Sequence, residues 1–456
     1  MLVGFSVGNF RSFKDVQSFS MNASKVTRHD DHVVKTDNAR LLRSAIVMGA
    51  NAGGKSNLVK AVDFSLDIIR FGLDVVDLEK QYFRIDPAMI DQPGVFSYNI
   101  IVGDTEYSYG FSISYRTKEI IGEWLYQVDR KGGDTCLFSR ETEDGETDIQ
   151  TEFVGDPAFN VLFDPFQGET PDALRKVTLL NDIANRTKNP EGLINDIKKV
   201  YNWFNKFVVI FPHSKYNKLG SDVGNKVTRD YLENRISGFD TGIDHIVSTK
   251  AQMDLDGLFA MMDDDEVRRV KVRISRQIDA GPVVLNINSN LFVVKRDENG
   301  NIVYDKVVFD HGNPNDMFDF DDESDGTRRL FDLIPIFLEA KRMEGCVFFV
   351  DEIDRSLHSK LTKRFFELVF SFDKSIPLQI ISTTHDSNLL DLDQFRQDEI
   401  WFVERNKDHS TSLFSLSKFK ERFDKRIDKE YLQGKYGAIP EFDEELLAWE
   451  DMDDSQ

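Results

Sequence analysis

The sequence predicts an α/β protein: an α/β head that carries an antiparallel β meander and an inserted, mainly helical lobe. Three observations lead to this fold class. A short β-branched run, a glycine-rich turn and an amphipathic pattern follow one another over 44–70. Alternating apolar and polar runs from about 95 to 140 are separated by turn residues, which indicates a meander. The α/β pattern returns from about 326 to 381, after a stretch of helical periodicity.

The elements follow in order along the chain. Alternation over residues 2–20 predicts one or two strands, and the run from Ala45 to Met48 predicts a buried strand before the glycine-rich turn. Apolar residues at helical spacing, clearest between 193 and 204, indicate helices. The remaining predictions are a hairpin around Asn299 and Gly300, a helix from about 326 to 343, a strand over 347–350, a helix from about 358 to 371 and a strand over 378–381.

These patterns divide the chain into four segments. We predict an N-terminal lobe over 1–154, a helical insertion over 155–285, a C-terminal lobe over 286–415 and a C-terminal segment over 416–456. The last of these ends in an acidic tail, because residues 441–456 contain eight carboxylates and no basic residue.

Composition narrows the function classes. The formal net charge of −22 disfavours a protein that coats DNA, since such proteins need basic residues to neutralise phosphates. Two distant cysteines, Cys136 and Cys346, do not suit a disulfide framework or a zinc site. Because no run of 18 apolar residues or export signal occurs, we expect a soluble cytoplasmic protein that does not enter a membrane.

One segment matches the phosphate-loop pattern G-x-x-x-x-G-K-[ST] directly between a predicted strand and a predicted helix. Glycines let backbone N–H groups point at phosphate oxygens, the lysine reaches the terminal phosphates and the serine hydroxyl ligates Mg²⁺. A chance match in a chain of this length is expected on the order of one or two times in a hundred. The candidate nucleotide ligands are Gly49, Asn51, Gly53, Gly54, Lys55, Ser56 and Asn57.

Two carboxylates, Asp351 and Glu352, follow the apolar run over 347–350. A buried parallel strand delivers its last side chains to the carboxyl edge of a sheet, where ligands bind. We expect Asp351 to hold the Mg²⁺ shell and Glu352 to polarise the attacking water. The alternative is that the pair simply ends a strand and begins a helix.

Two further features place polar groups at positions that suit phosphate binding. Ser324 and Gly326 precede an amphipathic helix and offer a second anion-binding turn, which suggests a dimer in which this turn closes over a nucleotide held by the partner. The alternative is an ordinary helix N-cap. His385 follows the apolar strand over 378–381 and is a candidate for sensing the γ-phosphate.

These motifs, with the loop Asn9-Phe10-Arg11-Ser12-Phe13, occur in the order found in ABC-type ATPases of the RecF, OLD and SMC branch. More narrowly, the chain resembles the stand-alone ATPase subunits of bacterial anti-phage systems such as Septu, PARIS and the RloA/AbiL type. The final segment from Tyr431 to Pro440 resembles the closing segment of such subunits. The typical signature turn is richer in Gly or Ser, and Asp325 departs from it.

The resemblance implies ATP and Mg²⁺ as cofactors and assigns further roles by position. It places Arg11 near the nucleotide, Ser324 and Gly326 on the γ-phosphate of the opposite subunit, and Asp354 at the dimer interface. It also implies a glutamine ligand for Mg²⁺, for which Gln81 is the candidate.

Three functions remain open at this stage. The first is an ATPase that acts as a sensor or scaffold, forms a homodimer or larger assembly and controls a separate effector protein such as a nuclease. The second is a RecF-like protein of DNA repair that binds DNA. The third, a self-contained nuclease of the OLD type, is disfavoured because only 71 residues follow His385 and the last of these form the acidic tail.

Overall fold

The computed structural model describes residues 1–440 except 37–38, 130–131, 153–156, 189–190, 213–222, 224, most of 251–281, 288–289 and 314. The acidic tail predicted over 441–456 lies outside the described residues. The chain divides into unit 1, Met1–Phe207 with Gln379–Gln456, and unit 2, Val208–Leu378. The division into four segments stays a prediction.

The described strands, numbered in chain order, are β1 (Leu2–Gly8), β2 (Gln17–Ser20), β3 (Val33–Lys35), β4 (Arg40–Leu42), β5 (Ser44–Met48), β6 (Gly94–Val102), β7 (Thr105–Ser114), β8 (Glu119–Val128), β9 (Thr135–Glu143), β10 (Glu146–Gln150), β11 (Gly168–Glu169), β12 (Phe207–Ile210), β13 (His245–Lys250), β14 (Val283–Ile287), β15 (Asn290–Arg296), β16 (Ile302–Asp310), β17 (Phe318–Asp319), β18 (Cys346–Val350), β19 (Leu378–Thr384), β20 (Ile400–Arg405) and β21 (Thr411–Ser415). The described helices are α1 (Lys55–Phe71), α2 (Pro157–Phe163), α3 (Asp172–Arg175), α4 (Leu179–Arg186), α5 (Gly192–Phe204), α6 (Lys226–Ser237), α7 (Asp325–Leu333), α8 (Pro335–Arg342), α9 (Ser359–Ser371) and α10 (Ile427–Leu432).

The strands β19, β5, β20 and β21 lie side by side in unit 1 in that order. β19 and β20 run parallel to β5, with Thr384 and Phe402 both opposite Met48. Every residue of β5 and β19 is buried, as expected for strands covered on both faces. Buried Gln379 binds the backbone of Leu2 and Leu42, which ties β19 to the N-terminus.

The predicted meander is an eight-stranded antiparallel sheet in unit 1, ordered β11-β10-β9-β8-β7-β6-β1-β2. Its long central strands alternate buried and half-exposed residues, because one face packs on the core. Helix α1 lies near this core: Phe64 contacts Phe10 and Phe96 with ring centroids 5.0 and 5.6 Å apart. The meander therefore supports the helix that follows the glycine-rich loop.

Unit 2 contains a five-stranded antiparallel sheet ordered β13-β16-β15-β14, with β17 on β16. Its apolar residues, including Val283, Leu285 and Phe292, form a cluster of their own. β12 lies beside the fully buried β18, which ends at the two predicted carboxylates. Along the chain, α7 and α8 precede β18 and α9 follows it.

Two predicted elements differ from the structure in extent. The helix predicted over 326–343 is two helices, because Ile334 is followed by Pro335, which begins α8. The strand predicted over 378–381 continues to Thr384, so the three hydroxyl residues before His385 are buried inside the sheet. The region predicted as mainly helical, residues 155–285, contains α2 to α6 and also β11, β12, β13 and the start of β14.

None of the described helices is both long enough and apolar enough to cross a membrane.

Candidate functional site

The glycine-rich loop connects the buried β5 to the 17-residue helix α1. Gly54 is the residue before the helix and has φ of 115°, a value that side-chain-bearing residues rarely adopt. No side chain caps this end of α1. The first N–H groups of a helix lack intrahelical partners and carry partial positive charge, so this terminus suits an anion.

Two glycines of the loop have no room for a side chain. A Cβ on Gly49 would lie 2.3 Å from the carbonyl oxygen of Val403, and a Cβ on Gly54 would lie 2.4 Å from Thr411 Oγ1. The loop is thus pressed against β20 and β21. Close packing requires both glycines, and the positive φ is a further requirement at Gly54.

Thr411 joins the loop to a second loop and was not predicted from the sequence. Its hydroxyl donates to Gly53 O at 3.1 Å and to Ser12 Oγ at 2.8 Å. Asn57 Nδ2 donates to the same Ser12 Oγ at 2.8 Å. Nothing in the sequence around 411 signals this role, because the contact joins residues 399 positions apart.

Lys55 is buried at the start of α1, with 5% of its surface exposed. Its ammonium donates to Gly49 O at 2.6 Å and to Ala50 O at 3.1 Å, so the charge lies against the loop. Ser56 is the next residue and is half-buried, while Asn51 is exposed at the tip. The predicted loop residues are therefore contiguous in space as in sequence.

Arg11 and Gln81 meet at the backbone, where Arg11 N donates to Gln81 O at 2.5 Å. Burial lowers the pKa of the Arg11 guanidinium, which also lies 5.6 Å from the Phe10 ring. Arg11 Nε and Gln81 Oε1 are buried and form no hydrogen bond to the part of the chain that the structure describes. A buried amide oxygen of this kind is a suitable ligand for a hard cation such as Mg²⁺.

His385 follows β19 directly and is exposed. Because Thr384 lies opposite Met48 in a parallel register, His385 lies at the same sheet edge as the glycine-rich loop. Unit 1 thus brings Arg11, Gln81 and His385 to the neighbourhood of the loop.

The predicted carboxylate pair follows β18 in unit 2. Asp351 is buried, with 4% exposure, and its N–H donates to Ile210 O at 2.8 Å. Glu352 has φ of 47° and a side chain that is 34% exposed. The left-handed backbone turns the chain sharply after Asp351, so the two carboxylates have different surroundings. Glu352 Oε2 lies 3.6 Å from the guanidinium of Arg355.

Arg329 of α7 fixes the backbone of this pair and was also missed from the sequence. Its Nη2 donates to Asp351 O at 2.9 Å and to Glu352 O at 3.1 Å. Arg329 is 4% exposed and its pKa is lowered by burial, although Asp332 lies 3.5 Å away. A guanidinium at this position holds two successive carbonyls in one geometry.

Ser324 is the N-cap of α7, since its hydroxyl accepts from Thr327 N at 3.1 Å. A Cβ on Gly326 would lie 2.8 Å from Ser356 O, so this glycine allows α7 to approach the turn that follows Glu352. Asp325, the departure from the typical signature, pairs with Arg328 at 2.7 Å. That pairing offsets the negative charge at the turn.

Comparison with known proteins gives one family. The model of the family described as "AAA domain, putative AbiEii toxin, Type IV TA system" matches residues 44–160 and 198–391, more than half of the chain. The matched segments include the glycine-rich loop, the turn of Ser324, the carboxylate pair and His385. No curated protein matches the chain.

Solved structures of SMC heads are similar to this chain at low identity. An SMC head bound to the C-winged helix domain of ScpA is 13% identical, with TM-score 0.38 over 91% of this chain and 97% of that one. The SMC head domain from Thermotoga maritima is 12% identical, with TM-score 0.35 over 91% and 98%. A Pyrococcus furiosus Smc head bound to the C-terminal domain of ScpA is 11% identical, with TM-score 0.38 over 95% and 99%.

The predicted fold class is confirmed by the described sheets and helices, and the predicted resemblance to ABC-type ATPases is confirmed by the family match. The chain belongs to the AAA-domain family whose description includes a putative AbiEii toxin of type IV toxin–antitoxin systems.

Proposed function

We propose that this protein binds and hydrolyses ATP with Mg²⁺, as the ATPase subunit of a bacterial anti-phage defence complex in the cytoplasm. The observation that carries the proposal is the loop over 49–56, where an uncapped helix terminus, a buried lysine and glycines without room for a Cβ occur together. This combination suits a polyphosphate ligand. A strained turn and a buried charge reduce the stability of the folded protein, so they are expected where function requires them.

The loop residues have distinct roles in binding. Backbone N–H groups at Gly53 and Gly54 and the start of α1 hold phosphate oxygens, and Lys55 transfers its ammonium from the carbonyls of Gly49 and Ala50 to the terminal phosphates. Asn51 and Asn57 border the loop, and Ser12 with Thr411 keeps it in place. Arg11 supplies a positive charge beside it.

The donor set fits Mg²⁺, because the candidate ligands are all oxygens and Gln81 Oε1 is buried without a hydrogen bond to the described residues. Ser56, Gln81 and Asp351 would hold the ion, which when bound neutralises phosphate charge. Glu352 accepts a proton from water as the water oxygen bonds to the γ-phosphorus and the bond to ADP breaks. His385 donates a hydrogen bond to the γ-phosphate.

We further propose a homodimer or higher homo-oligomer that shares its ATP sites. Ser324 and Gly326 open α7 with a helix terminus that lies against the turn after Glu352, and Asp354 within that turn would line the interface. The pairing of Asp325 with Arg328 reduces repulsion of a partner's phosphate.

A separate effector protein, such as a nuclease, is the proposed target of control. The family description, with its putative AbiEii toxin, supports a role in a defence system. The net charge of −22 favours a protein partner over DNA, although DNA binding as in RecF is the competing function. Duplex DNA binding that weakens steeply with added salt would favour that competitor.

The decisive experiment measures ATP binding and hydrolysis in Glu352→Gln. Loss of the proton acceptor should reduce turnover by about 10²- to 10⁴-fold while ATP binding stays. ATP should then shift the variant towards a dimer in light scattering. Glu367→Gln, on the exposed face of α9 where Glu367 pairs with Arg364, is the matched control and should behave as wild type.

Lys55→Ala should abolish ATP binding, which separates loss of the ligand site from loss of chemistry. Wild-type turnover in Glu352→Gln would refute the catalytic assignment. Wild-type ATP affinity in Lys55→Ala would refute the nucleotide site itself.

A further inference from the structure

A second cluster of potential ligands lies in unit 1, between β2 and β3, in the short 3-10 turn Asp30–His32 and the residue before it. His29, Asp31 and His32 each offer one ligand atom, and these atoms lie within 4.8 Å of one another. His32 is buried, His29 half-buried and Asp31 exposed. The nucleotide function uses none of these residues.

Both imidazoles are oriented by acceptors of the kind that support metal-binding histidines. His32 Nδ1 lies 2.9 Å from Glu399 Oε2, and His29 Nε2 lies 3.1 Å from the carbonyl oxygen of Leu392. In metal sites, a ligating histidine commonly donates its other ring N–H to a carboxylate or a backbone carbonyl. The cluster has both kinds of acceptor, a carboxylate for one ring and a backbone carbonyl for the other. This orientation of the rings is an observation separate from the short distances between the ligand atoms.

The carboxylate behind His32 is itself fixed. Glu399 is fully buried, accepts from Ser44 Oγ at 2.8 Å through Oε1, and accepts from Arg396 N at 2.7 Å through Oε2. Its position is therefore determined by the starts of β5 and β20, since Ser44 begins one strand and Glu399 directly precedes the other. A rigid acceptor of this kind holds the imidazole in one orientation.

One contact competes with this arrangement. Arg28 Nε lies 3.3 Å from His29 Nε2 and would donate to it, whereas the contact with Leu392 O requires the proton on that nitrogen. The shorter distance favours the carbonyl contact, and Arg28 is engaged by Asp393. A metal on His29 Nδ1 requires the same protonation state as the Leu392 contact, so binding selects it.

The geometry points to a binding site for a divalent transition-metal ion of the zinc class at His29, Asp31 and His32. Two imidazoles with one carboxylate suit Zn²⁺, Co²⁺ or Ni²⁺ and do not suit Mg²⁺, which prefers oxygen ligands. Zinc ligands lie about 2.0–2.1 Å from the ion, so the three ligand atoms must approach one another to complete the set, and the exposed Asp31 side chain has the room to do so.

This site lies at the amino-terminal edge of the parallel strands, while the glycine-rich loop lies at the carboxyl edge. Arg396 already joins the two chain segments through the carbonyls of Val26 and Arg28. A bound ion therefore rigidifies the segment over 28–33, which hydrogen bonds to Leu392, Arg396 and Glu399 already hold against the segment over 391–399. It stabilises unit 1 without taking part in ATP chemistry.

The test titrates Co²⁺ into the full-length protein without nucleotide or Mg²⁺ and follows the visible ligand-field absorption. We expect one equivalent to bind and the melting temperature to rise when Zn²⁺ is added. His29→Ala and Asp31→Ala should each weaken binding at least tenfold. Neither residue bonds to Glu399, so both variants should fold even if His32→Ala does not. His245→Ala removes an exposed histidine that contacts Glu233 elsewhere and should leave Co²⁺ binding unchanged.

Absence of stoichiometric binding to the wild-type protein would overturn the inference. Equal binding by wild type and both cluster variants would overturn it as well, because the ion would then occupy another place. The outcome is independent of the proposed ATPase, since a protein that binds Co²⁺ here can lack ATP turnover and the reverse also holds.

Discussion

The glycine-rich loop and the carboxylate pair are both proposed to act on one nucleotide, yet they are built differently. The loop is contiguous: its lysine bonds to carbonyls five and six residues earlier, and the same lysine is the first residue of the helix. The carboxylate pair is held from outside, because Arg329 is 22 residues from Asp351 and Gly326 packs on the backbone of Ser356.

This difference indicates which substitutions impair each region. A loop built mainly from its own residues loses little when a distant residue changes and is sensitive to a single added methyl group. A pair positioned by another helix depends on residues that carry no motif of their own. Four predictions, in decreasing order of expected effect, test whether the loop depends on local contacts and the carboxylate pair on distant ones.

Gly54→Ala should have the largest effect. The new Cβ meets Thr411 Oγ1 at 2.4 Å and φ is 115°, so strain and overpacking together cost about 4 kcal/mol, or roughly a thousandfold in ATP affinity. Gly103→Ala is the matched control, because Gly103 has φ of 62° but nothing within 4 Å of a Cβ. Calorimetry measures affinity and circular dichroism measures folding. Equal ATP affinity in both variants would show that close packing is unimportant.

Arg329→Met should come next. Two carbonyls lose a charged donor, which costs about 3 kcal/mol and should reduce ATP turnover on the order of a hundredfold with little change in ATP affinity. Arg364→Met is the matched control, since Arg364 is also a helical arginine and pairs only with the exposed Glu367 in the contacts described for α9. If both variants turn over equally, Arg329 does not position the pair.

Asp63→Asn tests whether charge along α1 affects the loop. Burial and then Asp67 raise the Asp63 pKa from 3.8 to about 6, against the effect of Arg70. The folded protein therefore holds this proton more tightly than the unfolded chain, and its stability falls as pH rises from 3.8 to about 6. The variant should be more stable than wild type by about 2 kcal/mol at pH 8, with the advantage decreasing below pH 6.

Urea denaturation at pH 8 and at pH 4.5 measures this difference, and ATP affinity should stay constant. A stability difference that is the same at both pH values would contradict the ionisation argument. A change in ATP affinity would contradict the view that the loop is locally determined.

Thr411→Val should have the smallest effect. It removes hydrogen bonds to Gly53 O and Ser12 Oγ and keeps the volume, so we expect a loss of about 1 kcal/mol, or roughly fivefold in ATP affinity. Ser412→Ala on the same strand, whose hydroxyl bonds to Asn406 away from the loop, is the control. If Thr411→Val kept the ATP affinity of the wild-type protein, the loop would not depend on β21.

The phosphate loop, the carboxylate pair and His385 were found from sequence because each lies at the end of an apolar strand. Gln81 was predicted only from the resemblance, and its buried amide oxygen is evident only from the structure. The helix over 326–343 was predicted as one element because apolar periodicity continues across Ile334, whereas Pro335 starts a new helix.

The sequence by itself determined the strand–loop–helix at 44–71, the meander and the two carboxylates after β18, because short-range periodicity and turn chemistry specify them. Only the tertiary structure decided that Thr411 and Ser12 support the loop, that Arg329 holds the acid pair, and that the buried His32 contacts Glu399. The physical reason is that these contacts join residues far apart in the chain, where partner choice depends on packing and leaves no periodic signal.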